Sequence, residues 1–259
     1  MDLQLRGRTA LVTGATAGIG LAIATELARE GADVVIVGRA QDKIDRALQA
    51  IGGHAGGIVA DVTSATGTEP VFSRVPRVDI VVNNLGIYEP KAFVDIGDEE
   101  WLRLFEVNVL SGIRLTRHYL PAMLARNWGR VIFISSESAL MTPPEMIHYG
   151  MTKTAQLAVS RGLAETTKGT GVTVNTVMPG PTRSEGIAAF LREMSSDPTV
   201  TDAAVEAEFF AKHRSSSLLQ RLIDPREIAT MVAYLASPLS SATNGAALRT
   251  EGGLLRSIA

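Results

Sequence analysis

The stretch ISSESALMTPPEMIHYGMTK, residues 134–153, decides the local fold around which the rest of this sequence is organised. It follows the apolar run Val131–Ile134, which is typical of a buried strand, and it leads into a helix predicted to begin near Ile147. Tyr149 and Lys153 are four residues apart, so they lie on one face of that helix. A phenol and an ammonium placed in this way can act together.

The chemistry open to this pair is proton transfer. A phenol has a pKa of about 10, and a nearby ammonium lowers that value, so Tyr149 can exchange a proton near neutral pH. Ser136 ends the neighbouring strand, where its hydroxyl can hydrogen-bond a substrate oxygen that Tyr149 protonates or deprotonates. The alternative is an exposed tyrosine beside a solvated lysine, and only the rest of the chain can decide between them.

Composition excludes several classes of function. The hydrophobic fraction is 46% and the charged fraction 20%, as in a soluble globular α/β domain. A formal charge of −2 gives no reason to expect nucleic acid as a partner. With no cysteine and four scattered histidines, no disulfide, thiolate or metal site is predicted. No apolar stretch approaches membrane-spanning length, so a cytoplasmic protein without a membrane partner is expected.

Short apolar runs alternate with helical segments along the chain, which predicts a parallel sheet covered by helices on both faces. Each run is bounded by polar or glycine-containing segments, as expected of buried strands. The predicted strands lie at residues 9–12, 34–37, 58–60, 80–82, 131–134, 172–177 and 246–250.

The longest helical pattern covers residues 98–127, and Pro121 is expected to bend or divide it. A helix at 65–74 should be short and weak because it contains glycine and proline. Residues 183–219 contain two weak helical patches and no strand. We interpret that segment as a mobile substrate-binding lid within a single domain spanning residues 1–259.

A glycine-rich turn joins the first strand to the first helix. Gly14, Gly18 and Gly20 follow the spacing GxxxGxG. Backbone amides and the helix dipole at such a turn can hold the pyrophosphate of a dinucleotide. Gly14 permits the turn, while Gly18 and Gly20 are expected to let phosphate and backbone come close.

The end of the second strand bears on the choice of dinucleotide. An acidic residue there would bind the adenosine ribose and repel a 2′-phosphate. This chain has Gly38 and Arg39 instead, and Arg39 can pair with a 2′-phosphate and stack on adenine. NADP(H) is therefore preferred, NAD(H) remains possible, and the alternative is a solvated loop arginine. Asp61, after the third strand, can accept a hydrogen bond from adenine or cap the following segment.

The sequence resembles the short-chain dehydrogenase/reductase superfamily, in its common single-domain branch. The resemblance implies a Rossmann-type, doubly wound parallel β-sheet of about seven strands flanked by helices on both faces. It covers nearly the whole chain and rests on motifs that occur in the family's order: Gly14-Gly18-Gly20, Asp61, Asn83–Gly86, Asn108, Ser136, Tyr149–Lys153 and Pro179–Thr182.

The resemblance implies an NAD(P)-dependent enzyme of class EC 1.1.1 that interconverts a carbonyl and a secondary alcohol by hydride transfer. Tyr149 would be the general acid and base, and Ser136 would position the substrate oxygen. Lys153 would bind the nicotinamide ribose and lower the pKa of Tyr149. Asn108 would hold a water that links Lys153 to solvent.

The resemblance also implies the cofactor contacts. Thr182 would contact the nicotinamide carboxamide, Ile19 the phosphates, and Asn83 with Gly86 the wall around the adenosine ribose. The full predicted cofactor set is Gly14, Thr16, Gly18, Ile19, Gly20, Arg39, Asp61, Val62, Asn83, Gly86, Tyr149, Lys153, Pro179, Gly180 and Thr182.

Two positions depart from the family's pattern. Leu85 stands where alanine is usual, which narrows the space beside the cofactor. Glu251 replaces the usual aspartate of a C-terminal DGG motif, which preserves a carboxylate.

The substrate is expected to lie over the nicotinamide, against largely apolar side chains. No arginine or lysine is expected in this pocket, with Arg183 at the start of the lid as a reservation, so a small carbonyl or alcohol substrate that is not strongly anionic is predicted. The predicted substrate contacts are Ser138, Met141, Pro181 and Phe190, with Ile87, Tyr88, Pro144 and Met146 as further candidates.

Assembly and rival functions complete the expectations. Family members usually associate through two long helices, here 98–127 and 147–168, so a homotetramer or homodimer is predicted. One alternative is a catalytically silent, cofactor-sensing regulatory protein of the same fold. It predicts a substituted catalytic position, and the sequence has none. A dehydratase or epimerase is a third alternative, although such relatives usually carry a separate substrate domain.

Overall fold

The computed structural model describes residues 1–197 and 199–258, and within them seven strands form one sheet. All six strand pairings are parallel. The strands are β1 (Thr9–Thr13), β2 (Asp33–Gly38), β3 (Ala55–Val59), β4 (Ile80–Asn83), β5 (Gly129–Ile134), β6 (Val172–Pro179) and β7 (Ala247–Thr250). Their order in the sheet is β3-β2-β1-β4-β5-β6-β7, so the predicted doubly wound fold is confirmed.

Helices cover both faces of this sheet, as predicted. None among the described residues is long and apolar enough to cross a membrane. The helices are α1 (Gly18–Arg29), α2 (Gln41–Ile51), α3 (Glu69–Arg74), α4 (Asp98–Phe105), α5 (Ser111–Ala125), α6 (Ile147–Glu165), α7 (Glu185–Met194), α8 (Asp202–His213) and α9 (Pro225–Ala236).

Alternate strand residues supply two separate cores. Val12 packs with apolar residues of α1, α2 and α9, whereas its neighbour Leu11 packs with residues of α3, α5 and α6 on the other face. Successive residues of a strand point to opposite faces, so a strand buried on both faces is a continuous apolar run. That pattern is why the strands were visible in the sequence.

The order of strands reverses between β1 and β4. The chain winds outward from β1 to β3 and then returns to place β4 on the other side of β1. In sheets of this kind a crevice opens at the carboxyl ends of the strands where the order reverses. The glycine-rich turn and the segment after β4 both lie at this edge.

The long helical pattern at 98–127 is interrupted, but not where the sequence suggested. A π-helical turn, Glu106–Leu110, separates α4 from α5. Pro121 lies inside α5, which continues to its end at Ala125, so the expectation that Pro121 divides the helix was wrong. Pro121 is exposed, and the carbonyl of Arg117 that loses its helical partner belongs to another exposed residue, where water can bind it.

The segment 183–219 forms the two predicted helices, α7 and α8. They meet over a third apolar cluster, separate from the cores of the sheet. This cluster also takes in the turn before α6, and its buried members are Met146, Phe190, Leu191, Val205, Phe209, Phe210 and Leu222. The segment therefore covers the carboxyl edge of the sheet beside the start of α6.

Candidate active site

The glycine-rich turn has the backbone that its glycines were expected to permit. Gly14 and Gly18 have φ angles of +62° and +55°, in the left-handed region that favours glycine. Gly20 is needed for a different reason from the predicted one. A Cβ atom there would lie 2.3 Å from the carbonyl oxygen of Gly14, so Gly20 lets the first turn of α1 pack on the loop itself.

Hydrogen bonds join this turn to the segment after β4. The hydroxyl of Thr13 accepts hydrogen bonds from the backbone N–H groups of Asn84 and Leu85, both at 3.1 Å. The side-chain amide of Asn84 donates back to the carbonyls of Thr13 and Gly14, at 2.9 and 3.2 Å. The two sides of the crevice are thereby held at a fixed separation.

A cleft along the ends of β1, β2 and β3 brings together five predicted cofactor residues: Gly14, Thr16, Arg39, Asp61 and Val62. Arg39 is exposed and forms no ion pair with any residue of 1–197 or 199–258. One oxygen of Asp61 accepts hydrogen bonds from the backbone and hydroxyl of Thr63, so Asp61 also caps its turn. Leu85 lines this cleft, and so does Ile87, which had been assigned to the substrate pocket.

Asn83 and Gly86 were both predicted beside the adenosine ribose. Asn83 is buried, and its amide nitrogen donates to the hydroxyl of Thr116 on α5 at 3.0 Å, outside the residues that line the cleft. A Cβ atom on Gly86 would lie 3.3 Å from Nζ of Lys153 and 3.5 Å from Oδ1 of Asn108. Gly86 therefore belongs to the surroundings of Lys153.

The end of β5 and the start of α6 bring the predicted catalytic side chains together. Ser136 and Tyr149 line one cavity. The Ser136 hydroxyl accepts a hydrogen bond from the backbone N–H of Ser138 at 3.1 Å, which holds it at the strand end. Nζ of Lys153 lies 5.5 Å from the Tyr149 ring centroid and donates to the carbonyl of Ile134 at 2.9 Å.

Burial governs the titration of Tyr149 and Lys153. Burial first, and then the negative charge of Glu137, raise the pKa of Tyr149, while a hydrogen bond with Ser136 acts in the opposite direction. Burial lowers the pKa of Lys153 to about 8, and Glu137 opposes this shift. The predicted lowering of the Tyr149 pKa by Lys153 is thus not found. The phenol is protonated at neutral pH, the form that can donate a proton to a carbonyl oxygen.

Asn108 lies in the π-helical turn Glu106–Leu110 and is fully engaged. Its side chain exchanges two hydrogen bonds with the backbone of Ile87, at 2.8 and 2.9 Å. The backbone carbonyl oxygen of Asn108 accepts a hydrogen bond of 2.6 Å from the side-chain amide of Gln156. The oxygen of that same amide accepts from Nζ of Lys153 at 3.3 Å.

Gln156 therefore connects Lys153 to the π-helical turn. Gln156 is 1% exposed and lies three residues after Lys153, on the same face of α6. A polar residue at that spacing was the signal that could have identified it. We call Lys153, Gln156 and Asn108 the lysine network.

The cavity beside Tyr149 has mostly apolar walls, as predicted. It contains three of the four predicted substrate residues, Ser138, Pro181 and Phe190, but not Met141, whose side chain is 38% exposed. Pro144 is not among the lining residues either. Other residues that line the cavity include Ile19, Tyr88, Met146, Pro179, Gly180, Thr182, Ile187 and Phe209.

Two charged side chains also line this cavity, which corrects the expectation of a pocket without arginine or lysine. Glu137 and Arg214 are 5% and 7% exposed. One oxygen of Glu137 accepts a hydrogen bond of 2.5 Å from the Ser136 hydroxyl. The other lies 3.8 Å from Nε of Arg214. Arg214 follows α8 and is distant from Glu137 in sequence, so no local pattern revealed the pair.

The Glu137 carboxyl is unusually hard to ionise. Burial raises its pKa, and the hydrogen bond from Ser136 and the charge of Arg214 only partly oppose that effect. Within residues 1–197 and 199–258, no three carboxylate or imidazole groups cluster in a way that could hold a metal ion.

The loop after β6 forms part of the floor of the cavity beside Tyr149. The Thr182 hydroxyl donates to the Gly180 carbonyl at 2.8 Å. A Cβ atom on Gly180 would lie 2.7 Å from the Glu251 carbonyl oxygen, so this loop packs directly on the C-terminal turn. The Glu251 carboxylate accepts hydrogen bonds from the backbone N–H groups of Leu254 and Leu255. Glu251 therefore has a structural role.

Comparison with known proteins agrees with this geometry. Residues 8–195 match the family model for short chain dehydrogenases. The chain is 52% identical to the oxidoreductase YvaG of Bacillus subtilis over 100% of both chains. It is 33% identical to the 3-oxoacyl-[acyl-carrier-protein] reductase FabG of Vibrio cholerae, covering 97% of this chain and 99% of the relative.

A solved structure shows the same fold over the full length. L-sorbose reductase from Gluconobacter frateurii, complexed with NADPH and L-sorbose, superposes with a TM-score of 0.92 at 28% identity and covers 100% of both chains. The family match, the full-length relatives and the shared fold together show that this chain belongs to the short-chain dehydrogenase/reductase superfamily of oxidoreductases.

Proposed function

We propose that this protein interconverts a carbonyl and a secondary alcohol with NADP(H) as the preferred cofactor and Tyr149 as the general acid and base. The observation that carries the proposal is that Ser136, Tyr149 and Lys153 meet at the carboxyl edge of the sheet, beside a cleft suited to a dinucleotide. The nicotinamide, when bound, supplies or accepts the hydride.

The residues of the cleft fit such a cofactor. The glycine turn opens α1, so its backbone N–H groups can bind pyrophosphate. Gly180 and Thr182 line the cavity that contains Tyr149, which supports their proposed contact with the nicotinamide. Arg39, exposed and without an ion-pair partner in the described chain, supports binding of a 2′-phosphate and hence the preference for NADP(H).

Each catalytic side chain has a distinct role in the proposal. The protonated Tyr149 donates its proton to the carbonyl oxygen during reduction, while Ser136 holds that oxygen. Lys153 stabilises the tyrosinate left behind and binds the ribose. Gln156 and the π-helical turn fix the position of Lys153.

The activities of the relatives support this reaction class. FabG is named as a reductase of 3-oxoacyl groups, and the Gluconobacter enzyme as a reductase of L-sorbose. Both names describe reduction of a carbonyl. We further propose that residues 183–219 act as a lid within a single domain, because α7 and α8 pack over the cavity that contains Tyr149.

Replacing Tyr149 by phenylalanine tests the proposal. NADPH oxidation is followed with a panel of ketones, and cofactor affinity is measured separately. We expect Tyr149→Phe to lower kcat by a factor of about 10² to 10⁴, the usual contribution of a general acid, with the Kd for NADPH nearly unchanged. Substantial residual turnover would contradict the role of Tyr149.

A second variant tests the cofactor preference. Arg39→Ala should raise the Kd for NADPH by at least about tenfold, as expected for loss of a charge-assisted pair, and leave the Kd for NADH nearly unchanged. Arg226→Ala, which removes another exposed arginine far from the cleft, is the control. Equal use of NADH and NADPH by the unaltered enzyme would overturn the preference.

A further inference from the structure

Glu137 and Arg214 form a charged wall in a cavity that is otherwise mostly apolar. Both side chains are more than nine-tenths buried. Placing charged groups away from water is costly unless they are well paired and fully hydrogen-bonded. The structure shows that this pair is neither.

Arg214 lacks hydrogen-bond partners that its position demands. Its Nη1 donates to the carbonyl of His213 at 2.8 Å. Its Nε is buried and has no hydrogen-bond partner among the described residues. The nearest carboxylate oxygens are 3.8 Å away on Glu137 and 3.9 Å away, from a terminal nitrogen, on Glu145, both too long for hydrogen bonds.

The gap between Nε of Arg214 and Oε1 of Glu137 suits one oxygen atom. Two atoms 3.8 Å apart can both lie at a hydrogen-bond distance of about 2.8 Å from a single oxygen between them. Such an oxygen would satisfy a buried donor that otherwise has no hydrogen-bond partner among the described residues. Because both residues line the cavity, a ligand in the cavity can supply it.

The position of the wall defines which ligand atom reaches it. Glu137 directly follows Ser136, and their side chains are hydrogen-bonded at 2.5 Å. Ser136 is the residue proposed to hold the reacting oxygen. An oxygen on the carbon next to the reacting carbon is therefore the one closest to the wall.

The charges of the wall identify the chemistry of that second oxygen. A hydroxyl can donate to Glu137 and accept from Arg214 at the same time. A carboxylate or phosphate can only accept, and it would meet Glu137 and Glu145, two carboxyl groups that already flank Arg214. A methyl group would leave both members of the wall unsatisfied.

We propose that Glu137 and Arg214 bind a hydroxyl group on the carbon adjacent to the reacting carbonyl, so that the substrates are α-hydroxy ketones and the corresponding products are vicinal diols. This inference rests on the proposed function and names its substrate class. In the reduction, the carbonyl carbon gains a hydride from NADPH and its oxygen gains the proton of Tyr149. The C=O double bond becomes a C–O single bond, and NADP⁺ is released.

Matched pairs of ketones test the inference. We would compare kcat/KM with NADPH for 3-hydroxy-2-butanone against 2-butanone, and for 2-hydroxycyclohexanone against cyclohexanone. The hydroxy ketone should be favoured at least about tenfold in each pair, because the plain ketone leaves buried polar groups unpaired. An equal or inverse preference in the unaltered enzyme would overturn the inference without any variant.

Two variants locate the preference in the wall. Glu137→Leu and Arg214→Met should each bring the ratio within each pair to about threefold or less, since each removes one of the two hydrogen bonds to the hydroxyl. Arg226→Met, at an exposed site remote from the cavity, should keep the ratio of the unaltered enzyme. A ratio retained in both wall variants would contradict the assignment.

An anionic ketone tests whether the charged wall binds a carboxylate instead of a hydroxyl. If 2-oxobutanoate is reduced more efficiently than 3-hydroxy-2-butanone, the wall binds a carboxylate and the inference is wrong. Failure of the proposed function has a different signature, because no carbonyl would then oxidise NADPH and Tyr149→Phe would change nothing. If the enzyme reduces plain ketones and hydroxy ketones equally well, and this activity depends on Tyr149, the inference is wrong but the proposed function stands.

Discussion

The lysine network is buried behind the lining of the cavity, whereas the charged wall is part of that lining, and the two differ in how their polar groups are paired. In the network, Nζ of Lys153 has two acceptors, and the amide of Gln156 both donates and accepts. In the wall, Nε of Arg214 has no hydrogen-bond partner in the described chain, and its nearest carboxylate is 3.8 Å away.

This difference separates two tasks. A buried polar network with every member satisfied keeps its geometry, which suits groups that must hold the reacting atoms in place. A buried pair with unused hydrogen bonds is poised for a ligand that supplies them. The contrast predicts that changes in the network mainly affect the chemical step and stability, whereas changes in the wall mainly affect the choice of substrate.

The largest expected effect concerns the buried charge of Lys153. Its pKa of about 8 lies below the ordinary value of 10.5, so between these pH values the unfolded chain binds more protons than the folded one. Stability contributed at this site therefore rises with pH across that window, by on the order of 3 kcal/mol in total. Below pH 8 the full penalty for the charge is present.

The prediction is tested by the difference in unfolding free energy between the unaltered protein and Lys153→Met. Unfolding free energies of the unaltered protein and of Lys153→Met would be determined with denaturant at pH 7, 8.5 and 10. The unaltered protein should gain stability relative to the variant as the pH rises. A difference that stays constant or falls over this range would show that Lys153 is not held with a depressed pKa.

A smaller effect is expected from breaking the middle of the network. Gln156→Leu keeps the size of the side chain but leaves the Asn108 carbonyl and Nζ of Lys153 each short of one partner. Loss of such a bond costs about 1–3 kcal/mol of folding stability. Because Lys153 is then held less accurately, kcat should fall by up to about a hundredfold, with a smaller change in KM.

Two readouts separate this positioning role from general damage. Gln156→Glu places a carboxylate beside Lys153, so the acidic group should raise the Lys153 pKa and move the alkaline limb of the pH–rate profile upward. Gln49→Leu, on the exposed face of α2, is the control and should leave the profile unchanged. If both variants at 156 match the unaltered profile, Gln156 has no such role.

The wall should show itself in the pH dependence of the reaction. Ionised Glu137 accepts a hydrogen bond from the Ser136 hydroxyl, which then cannot donate to the substrate oxygen. The neutral carboxyl can instead donate to Ser136, so that the Ser136 O–H is free to donate to the substrate oxygen. Because the pKa of Glu137 is raised, reduction should weaken as the pH rises through that pKa.

Other charged or titratable groups lie near Glu137. Arg214 is 3.8 Å from it, Glu145 is 3.9 Å from Arg214, and the negative charge of Glu137 acts to raise the pKa of both Tyr149 and Lys153. Glu137→Gln therefore serves as the diagnostic variant, and it should flatten the descending limb of the kcat/KM profile, which is the fall in reduction rate as the pH rises through the Glu137 pKa. Persistence of that limb in the variant would assign it to another group.

The smallest expected effect is on the stability of the wall itself. Replacing a poorly paired buried ion pair by uncharged side chains is often neutral or stabilising. The double variant Glu137→Gln, Arg214→Met should therefore have a Tm within about 2 °C of the unaltered protein, or above it. Gln156→Leu should lower the Tm. A double variant with a lower Tm than Gln156→Leu would contradict the distinction between the two regions.

Much of this architecture was readable from the sequence because it depends on local patterns. The continuous apolar run Val131–Ile134 and the spacing of Tyr149 and Lys153 fix a strand, a helix and a shared face. The π-helical turn at Asn108 was not readable, since the bonds that surround it come from Ile87 and Gln156, elsewhere in the chain. Local propensity at Pro121 predicted a bend or a division there, whereas the division lies at the π-helical turn Glu106–Leu110 and α5 continues to Ala125.

The charged wall was beyond local analysis for a similar reason. Glu137 stood within the quoted stretch, but its burial depends on the loop after α8, which brings Arg214 over the cavity. The side-chain composition of the pocket therefore depends on how the segment 183–219 returns to the sheet. No periodicity within that segment carries such information.

The C-terminal turn has a further consequence. Gly180, in the floor of the site, packs on the backbone of Glu251, and the Glu251 carboxylate holds the turn that contains Leu254 and Leu255. Both leucines are buried. An affinity tag or fluorescent label attached close behind these leucines would therefore act on the loop that carries Gly180, whereas the exposed Met1 is the safer place for any such fusion.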